Sequence, residues 1–522
     1  MTVSRPAEVK PGRRGQRPSR ADVVAAGVAL GLFALTAVVG VVLWLAGRPV
    51  HAGAAPLFAS WLPHVGPGTV PTVLIAVLVC AYGPGLAARL SWQQLSIVTW
   101  LAAVAWTTSL ALVDGWSRGV SGRLTTEYEY LHEVPGVTDA GMMLREFTGR
   151  ILDFQPGSWT THVAGHPPGA LLVFVGLDRV GLAGGGWAGV LCILVGALTA
   201  VAVPRTVRRL GTDQAARASI PFLVLFPGAV WIGVSADGLF AGVTATGVAL
   251  LASGAVRGSA VRLLGAGVLL GFGCYLSYGL VLMAPVALAV LWLGRARLRQ
   301  VAWAVGGAVA VAVAFTVAGF NWFTGYHLLI ERYYQGVASV RPYAYWVAAD
   351  LAIIFAVSAG PASAVILRRA VSHLAGRWQR ASAGDRGVAA QARGEGATGR
   401  GTGATWRRAA QLAAAISPRP ENQDVAAATR LSPATGTRLP SATGTRLVPD
   451  TAAWLLPVAA AVAILAADLS GYSKAEVERI WLPFAVWLPA GAVLIPDGSW
   501  RRWLVVQAVV AITVNHLLVT TW

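Results

Sequence analysis

Apolar runs of about 20 residues recur along most of this chain, and they restrict its possible folds more than any other feature. Residues 21–46 illustrate the pattern, because Asp22 is the only charged residue among them. A helix of that length spans the hydrocarbon core of a bilayer, whereas a water-soluble domain could not bury so many such helices. The composition agrees, since 56% of the 522 residues are hydrophobic and only 12% are charged. The sequence therefore predicts an all-α, polytopic membrane protein.

The apolar pattern predicts about 13 transmembrane helices. They cover residues 21–46, 70–88, 94–113, 185–204, 217–234, 237–256, 262–278, 280–295, 300–320, 346–367, 452–468, 480–496 and 501–519. All three cysteines lie within these runs, without the spacing of a metal site or of a disulfide framework. We therefore expect neither a metal ion nor a cofactor.

Arginine clusters between the predicted helices indicate the orientation of the chain. If the N-terminus is cytoplasmic, the short basic clusters fall on the cytoplasmic side, as the positive-inside rule requires. These clusters are Arg205/Arg208/Arg209, Arg257/Arg262, Arg295/Arg297/Arg299, Arg368/Arg369 and Arg501/Arg502. This distribution explains the net charge of +18 without a nucleic-acid partner. The topology holds only if residues 167–183 do not cross, so this segment is predicted to be a re-entrant or interfacial helix.

This topology divides the chain into five regions. Residues 370–450 are rich in Ala, Gly, Ser, Thr and Pro and have no apolar period, which predicts disorder. The regions are a disordered basic cytoplasmic tail (1–20), two accessory transmembrane helices (21–93), a transmembrane core (94–369) with a long exterior loop (114–184) that contains amphipathic and re-entrant helices, a disordered basic cytoplasmic linker (370–450), and the C-terminal transmembrane helices (451–522).

Ionisable and aromatic residues concentrate in four segments of the predicted exterior face. Carboxylates there could take a proton from a nucleophile, and arginine or lysine could hold a phosphate group. Structural explanations are also open, since Asp114 or Asp237 could cap a helix and His162 is expected to be structural or exposed. The candidates are Asp114, Glu127, Glu129, Asp139 and His166 in the first loop, Asp237 in the next turn, Tyr333 and Arg341 in a later loop, and Lys474, Glu478 and Arg479 in the last loop.

Three short motifs resemble those of the GT-C fold glycosyltransferases. They are the apolar span that ends at Asp114, the loop end His166-Pro167-Pro168-Gly169, and the turn Asp237-Gly238-Leu239. Within that superfamily the chain is similar to the protein mannosyltransferases and to the aminoarabinose transferase of lipid A. Arg341-Pro342-Tyr343 and residues 474–481 resemble actinobacterial integral membrane proteins of the same superfamily. The resemblance covers residues 94–370 and 450–520.

The resemblance implies an inverting glycosyltransferase on the exterior face of the bacterial plasma membrane. Its donor would be a polyprenyl-phosphate sugar, and its acceptor a glycan, lipid or protein of the cell envelope. Asp114 would be the general base on the acceptor hydroxyl, with Glu127, Glu129 or Asp139 as alternatives, and Asp237 would support the acceptor or order the site. Residues that would bind substrate are Glu129, His166, Tyr333, Arg341, Lys474, Glu478 and Arg479, among which Lys474 and Arg479 would hold the lipid phosphate.

Three other functions are open at this point: a transporter or lipid-linked glycan flippase, a scaffold without catalysis, and a different membrane transferase such as a polysaccharide ligase. A transporter typically carries ionisable residues in the centres of its spans and a repeat of spans; the sequence shows no such repeat, and the span centres are almost free of charge. A scaffold would scatter its exterior polar residues. The transferase hypothesis instead predicts that Asp114, Arg479 and the other exterior acids and cations surround one lipid-accessible cavity.

Overall fold

A computed structural model of the chain describes residues 18–395 and 451–520, and most of them are helical. The first part of the chain contains α1 (Arg20–Leu45), α2 (Thr69–Arg89), α3 (Trp92–Ala111), α4 (Tyr130–Glu133), α5 (Ala140–Glu146), α6 (Thr161–Gly165), α7 (Pro168–Arg179), α8 (Gly185–Gly196), α9 (Thr199–Leu210), α10 (Asp213–Val224), α11 (Ala229–Ile232) and α12 (Ala236–Arg257). The chain continues with α13 (Ala260–Leu276), α14 (Ala284–Leu293), α15 (Leu298–Val317), α16 (Trp322–Gln335), α17 (Tyr343–Ile353), α18 (Pro361–Glu395), α19 (Thr451–Ser470), α20 (Val477–Ile480), α21 (Leu482–Ala485) and α22 (Trp500–Leu517). Two short strands, β1 (Ala59–Trp61) and β2 (Leu518–Thr520), form an antiparallel pair.

Seven helices in the described residues are long and apolar enough to cross a membrane. They are Arg20–Leu45, Thr69–Arg89, Trp92–Asp114, Gly185–Leu210, Ala236–Arg257, Leu298–Val317 and Thr451–Ser470. The pair Tyr343–Ser358 and Pro361–Arg377, bent by 108°, would add an eighth span if it crosses as one. Ala260–Leu276, Tyr278–Leu293 and Leu482–Leu494 are apolar but shorter. The chain is thus an all-α protein with the helices of a membrane protein, while the predicted number of 13 spans is not confirmed.

Prolines explain why some predicted spans form shorter helices. The predicted span 217–234 contains Pro221 and Pro227, and it divides into α10 and the single turn α11. The predicted span 480–496 contains three prolines, and it divides into the short α21 and a 3₁₀ segment, Leu488–Leu494. A proline removes a backbone donor and clashes with the preceding helical turn. Hydropathy measures apolar character and not backbone geometry, so it predicts longer helices than the chain forms at these prolines.

Several arginine clusters lie at one end of the helices. At the start of α1, Asp22 accepts hydrogen bonds from Arg368 and from Arg369, the latter at 2.6 Å. Near the start of α3, Ser96 accepts a hydrogen bond from Arg205 at 3.0 Å. The basic ends of α9, α12 and α13 also lie near one another, because Arg209 is within the electrostatic reach of Arg205, Arg208, Arg257 and Arg262. This grouping is the one that the positive-inside rule predicts for a single membrane face.

The polar connections that carry the candidate residues lie at the opposite end. α3 runs from the arginine end towards Asp114, and α12 runs from Asp237 to the basic Arg257. The strand pair belongs to the same end as Asp114, because Arg123 donates hydrogen bonds both to Asp114 and to the carbonyl oxygen of Thr520 in β2. The arginine clusters therefore lie at one end of the long apolar helices, and the candidate residues lie at the other end.

Small residues allow α13 and α15 to pack closely. Gly267 and Gly271 of α13 lie against Ala304 and Ala308 of α15, and a Cβ added at Gly267 would lie 1.9 Å from the carbonyl oxygen of Ala304. Apolar helices in lipid associate through such close backbone contact, since the lipid tails are as apolar as the side chains. This contact fixes part of the helical scaffold that supports the candidate residues.

The segment predicted to be re-entrant forms α7, which is too short to count among the candidate spans. It buries Phe174, whose ring centroid lies 5.2 Å from that of Tyr130. Gly169 lies directly against the backbone of Tyr275 in α13. α7 therefore fastens the long loop 114–184 to the helices beneath it.

The described residues belong to two units. The larger unit comprises the residues up to His373 and those from Thr451 onwards, and it contains the hydrophobic core and every candidate residue. The described part of the smaller unit is the C-terminal portion of α18, from Leu374 to Glu395. The predicted disordered linker 370–450 therefore begins as helix, because Ala and Arg, which favour helices, are frequent there. Residues 396–450 of that linker and residues 1–17 of the predicted tail lie outside the described residues.

Candidate functional site

The first turn of α12 fixes the position of Asp237. Ser235 caps this helix by accepting a hydrogen bond from the backbone N–H of Gly238, so the aspartate falls in the first turn. A carboxylate there complements the positive end of the helix dipole. Asp237 is nevertheless buried, and its Oδ2 accepts a hydrogen bond of 2.6 Å from Nη1 of Arg479. Ser235, and not Asp237, is therefore the cap of this helix, while the Asp237 carboxylate complements the helix dipole and also holds a distant guanidinium.

Arg479, in the four-residue helix α20, is the centre of a buried polar cluster. Besides Asp237, its Nη2 donates to Oε2 of Glu476 at 2.8 Å and lies 2.9 Å from Nε2 of His162. Burial alone would lower the pKa of Arg479, but the surrounding carboxylates outweigh it and hold this pKa above its ordinary value. The guanidinium therefore stays charged although it is buried, which is costly without such partners.

His162 connects Arg479 with Glu129. Its Nε2 accepts from the guanidinium, so its Nδ1 carries the proton and faces Oε1 of Glu129 at 3.0 Å. Burial of Glu129 opposes ionisation, but the interaction with His162 and the charge of Arg479 outweigh burial and hold the pKa of Glu129 below its ordinary value. Oε2 of Glu129 has no hydrogen-bond partner among the described residues. Glu129 is therefore a buried, ionised carboxylate with one oxygen available to a further donor.

His166 and Tyr130 form a wall beside this cluster. Nδ1 of His166 lies 2.8 Å from the hydroxyl of Tyr130 and 2.8 Å from the carbonyl oxygen of His162. Burial lowers the pKa of His166 to about 4, against the opposing charge of Asp237. His166 is consequently neutral near pH 7, so it shapes the site rather than adding charge to it.

Arg341 and Lys474 hold the segment that leads into α20. Nη1 of Arg341 donates to the carbonyl oxygen of Lys474 at 2.8 Å and lies 3.4 Å from Oε1 of Glu476. The Lys474 ammonium donates to the carbonyl oxygens of Ala338 at 2.7 Å and of Arg341 at 3.2 Å. The hydroxyl of Tyr333 accepts from the backbone N–H of Lys474 at 2.9 Å. Of the two cations, Arg341 reaches the Arg479 cluster through Glu476, while Lys474 donates hydrogen bonds to backbone carbonyl oxygens.

Glu478 contacts a different part of the chain. Its Oε1 accepts a hydrogen bond of 3.2 Å from the backbone N–H of Phe58, just before β1. Burial raises the pKa of Glu478 to about 7. The residue lies next to Arg479 in sequence, yet its contacts tie α20 to the segment between α1 and α2.

Asp114 belongs to a neighbouring ion-pair group. Its Oδ2 accepts from Arg123 at 2.7 Å, and its Oδ1 lies 2.9 Å from Nε2 of His64 and 3.1 Å from Arg118. Arg123 is buried and also interacts electrostatically with Glu129. The two groups are therefore adjacent, with Arg123 as the link. The sequence placed Asp114 beside Arg479, whereas the contacts of Asp114 are with His64, Arg118 and Arg123.

The other acids of the first loop lie on its surface. Glu127 is exposed and interacts with its neighbour Tyr128. Asp139 is also exposed and caps α5 through a 2.7 Å hydrogen bond from the backbone N–H of Met142. Of the acids proposed as bases, Glu129 is thus the one that directly joins the Arg479 cluster.

His64, Arg118, Arg123 and Tyr130 belong to these groups but were absent from the sequence-based candidates, while His162 was expected to be structural or exposed and Glu476 was not chosen from the charged residues of the last loop. The spacing of His162, four residues before His166, was a usable signal, since residues four apart lie on one face of a helix. Nothing in the sequence distinguished Arg123 from other loop arginines. Within the described residues, no group of three or more His, Cys, Asp or Glu side chains could hold a metal ion.

Neither a protein-family model nor a curated protein nor a solved structure matches this chain.

Proposed function

We propose that the protein is an inverting glycosyltransferase that moves a sugar from a polyprenyl-phosphate donor to an acceptor of the cell envelope, on the exterior face of the bacterial plasma membrane. One observation supports this most: a buried, charged Arg479 contacts Asp237, Glu476 and His162 at the end of long apolar helices that is opposite to the arginine clusters. The resemblance to GT-C fold enzymes at Asp237, His166 and Arg479 points in the same direction.

A lipid-phosphate donor suits this location. Its chain would stay in the bilayer beside the apolar helices, while its phosphate would reach the buried guanidinium. A fixed cation stabilises the negative charge that develops on a leaving phosphate. Such a donor needs no nucleotide, which is consistent with a sequence that lacks a glycine-rich phosphate loop.

Glu129 is the best-supported general base for the transfer. Its free Oε2 takes the proton of the acceptor hydroxyl, and the hydroxyl oxygen forms a bond to the anomeric carbon. The bond from that carbon to the phosphate oxygen breaks, and polyprenyl phosphate leaves beside Arg479. A single displacement of this kind inverts the anomeric centre. Asp114 is the second candidate, because Arg123 joins it to the same region.

The decisive experiment measures release of polyprenyl phosphate from a panel of polyprenyl-phosphate sugars by the protein in membrane vesicles supplied with envelope acceptors. Glu129→Gln and Arg479→Gln are each expected to lower the rate by about a hundredfold or more. Glu146→Gln is the matched control, since this glutamate is exposed in the same loop. Full activity of Glu129→Gln would move the base to Asp114, and no release from any donor by the unmodified protein would refute the proposal.

A transporter or lipid-linked glycan flippase is the second candidate function, and one feature favours it. The pair Tyr343–Ser358 and Pro361–Arg377 is bent by 108°. Asp350, in the first helix of that pair, is buried, and its Oδ1 has no hydrogen-bond partner among the described residues. Broken helices and buried acids are typical of transporters. In proteoliposomes, this function predicts that Asp350→Asn stops movement of a fluorescent lipid-linked glycan, whereas the transferase predicts no such movement in the unmodified protein.

A further inference from the structure

Glu476 bridges two guanidinium groups with its two carboxylate oxygens. Oε1 lies 3.4 Å from Nη1 of Arg341, and Oε2 lies 2.8 Å from Nη2 of Arg479. A phosphate group binds arginine through the same arrangement of paired anionic oxygens. The side chain therefore occupies the position between two arginines that suits an anionic ligand.

The backbone around Glu476 is in an unfavourable conformation. Ala475 and Glu476 have φ angles of +72° and +64°, in the left-handed region that residues with a Cβ rarely adopt. Glu476 directly precedes α20, and its side chain makes no hydrogen bond that would cap that helix. Strain of this kind persists where surrounding contacts hold it, here the contacts to Arg341 and Arg479. Loss of those contacts would let the segment relax, which favours release of the side chain.

Glu476 is also the most accessible member of the bridge. Its side chain is 17% exposed, compared with 4% for Arg341 and 6% for Arg479. Asp237, which holds the other side of Arg479, is 4% exposed. A ligand that approaches the two arginines therefore meets Glu476 first, and Asp237 can stay in place.

We propose that Arg341 and Arg479 form a binding site for a phosphate group, which the Glu476 carboxylate occupies in the ligand-free protein and which a phosphate enters by displacing it. The identification of that phosphate as the head of a polyprenyl-phosphate lipid rests on the proposed function. Exchange of one anion for another keeps both arginines paired, so neither is left buried without a counter-charge. Lys474 takes a supporting role, because its ammonium is held by the carbonyl oxygens of Ala338 and Arg341.

The test measures binding without any sugar transfer. Geranyl phosphate, a short isoprenyl monophosphate, and inorganic phosphate are titrated into the full-length protein in lipid nanodiscs by calorimetry. Glu476→Gln keeps the shape of the side chain and removes its charge, and Glu476→Ala removes the carboxylate altogether. Both are expected to bind geranyl phosphate about tenfold more tightly than the unmodified protein, because the competing anion is gone.

Two controls separate displacement from a general effect of charge. Asp237→Asn removes a carboxylate from the same arginine without emptying the bridge, so its gain in affinity is expected to be much smaller. Adding Arg341→Gln to Glu476→Gln is expected to abolish the gain, because the ligand then loses one of its two arginines. Unchanged or weaker binding by both Glu476 variants, or an equal gain in Asp237→Asn, would overturn the proposal.

The two phosphate probes distinguish the source of the ligand. A gain for geranyl phosphate alone supports a lipid phosphate, and an equal gain for inorganic phosphate supports a site for free phosphate. Either gain upholds the site between Arg341 and Arg479. If the Glu476 variants show the gain while no sugar donor is ever consumed, the phosphate site stands and the glycosyltransferase proposal fails.

Discussion

Glu478 and Arg479 are adjacent in α20 but have opposite electrostatic environments. Arg479 contacts carboxylates, which keep its buried guanidinium charged. Glu478 receives one backbone hydrogen bond from Phe58, and its Oε2 has no hydrogen-bond partner among the described residues. Successive residues of a helix face different sides, so one short helix contributes both to the polar cluster and to the contact with the segment before β1.

This environment makes the stability of the protein depend on pH through Glu478. Burial raises its pKa from 4.5 to about 7, so the folded protein holds the proton more tightly than the unfolded chain. The stabilisation is complete below pH 4.5 and is lost as the pH rises towards 7. A glutamine cannot ionise, so Glu478→Gln prevents this fall in the free energy of unfolding. The variant is expected to be more stable than the unmodified protein by about 3 kcal/mol at pH 8, with little difference at pH 4.

Thermal unfolding of the detergent-purified protein at pH 4 and pH 8 measures this difference. The expected result is a higher melting temperature for Glu478→Gln at pH 8 only. Glu146→Gln, at an exposed position, serves as the control and should follow the unmodified protein at both pH values. A variant that melts below the unmodified protein at pH 8 would show that ionised Glu478 stabilises the fold.

At the scale of helices, short elements carry the polar cluster and long ones support it. Glu129 directly precedes α4, His162 lies in α6 and Arg479 lies in α20, helices of only four or five residues. Helices of that length are unstable on their own, so they depend on contacts with the long helices. Asp237 provides such a contact, because it belongs to the first turn of the 22-residue α12. A substitution that displaces the long helices should therefore also destabilise the short helices that carry the polar cluster.

The contact between α13 and α15 provides a direct test of that dependence. Gly267→Val would place a Cβ 1.9 Å from the carbonyl oxygen of Ala304, so the two helices must separate. We expect a loss of about 3 kcal/mol in the free energy of unfolding, as overpacking of a tight contact produces. Gly265→Val is the matched control in the same helix, since the nearest atom to its added Cβ is 3.9 Å away, in a leucine side chain.

Thermal unfolding in detergent, followed by the intrinsic fluorescence of the protein, measures both glycine variants. The expected order of melting temperatures places Gly265→Val close to the unmodified protein and Gly267→Val well below it. Equal melting temperatures for the two variants would mean that α13 and α15 do not depend on this close approach.

At the scale of the whole molecule, the sequence predicts which residues belong to the polar cluster better than it predicts which side chains contact one another. Apolar periodicity identifies the helices, and the rule that charged residues avoid spans directs attention to Glu129, Asp237 and Arg479, which do meet. The partner of Asp114 could not be predicted, because ion pairing depends on how the loop folds back rather than on composition. The bond from Phe58 to Glu478 joins residues 420 positions apart, and no local pattern records such a contact.

The separation of arginine clusters from the polar cluster predicts how the protein lies in a membrane. Glu146 lies in the loop that carries Glu129, and Arg299 lies at the start of α15. The start of α15 lies beside the basic end of α12, because the side chain of Gln300 donates a hydrogen bond to the carbonyl oxygen of Ala255. After replacement of the three native cysteines by alanine, Glu146→Cys in intact bacteria is expected to react with a membrane-impermeant maleimide. Arg299→Cys should react only after permeabilisation, because basic helix ends stay on the cytoplasmic side. Labelling of both positions from outside would mean that the number of crossings between them is even, and it would remove the premise that the long helices separate two membrane faces.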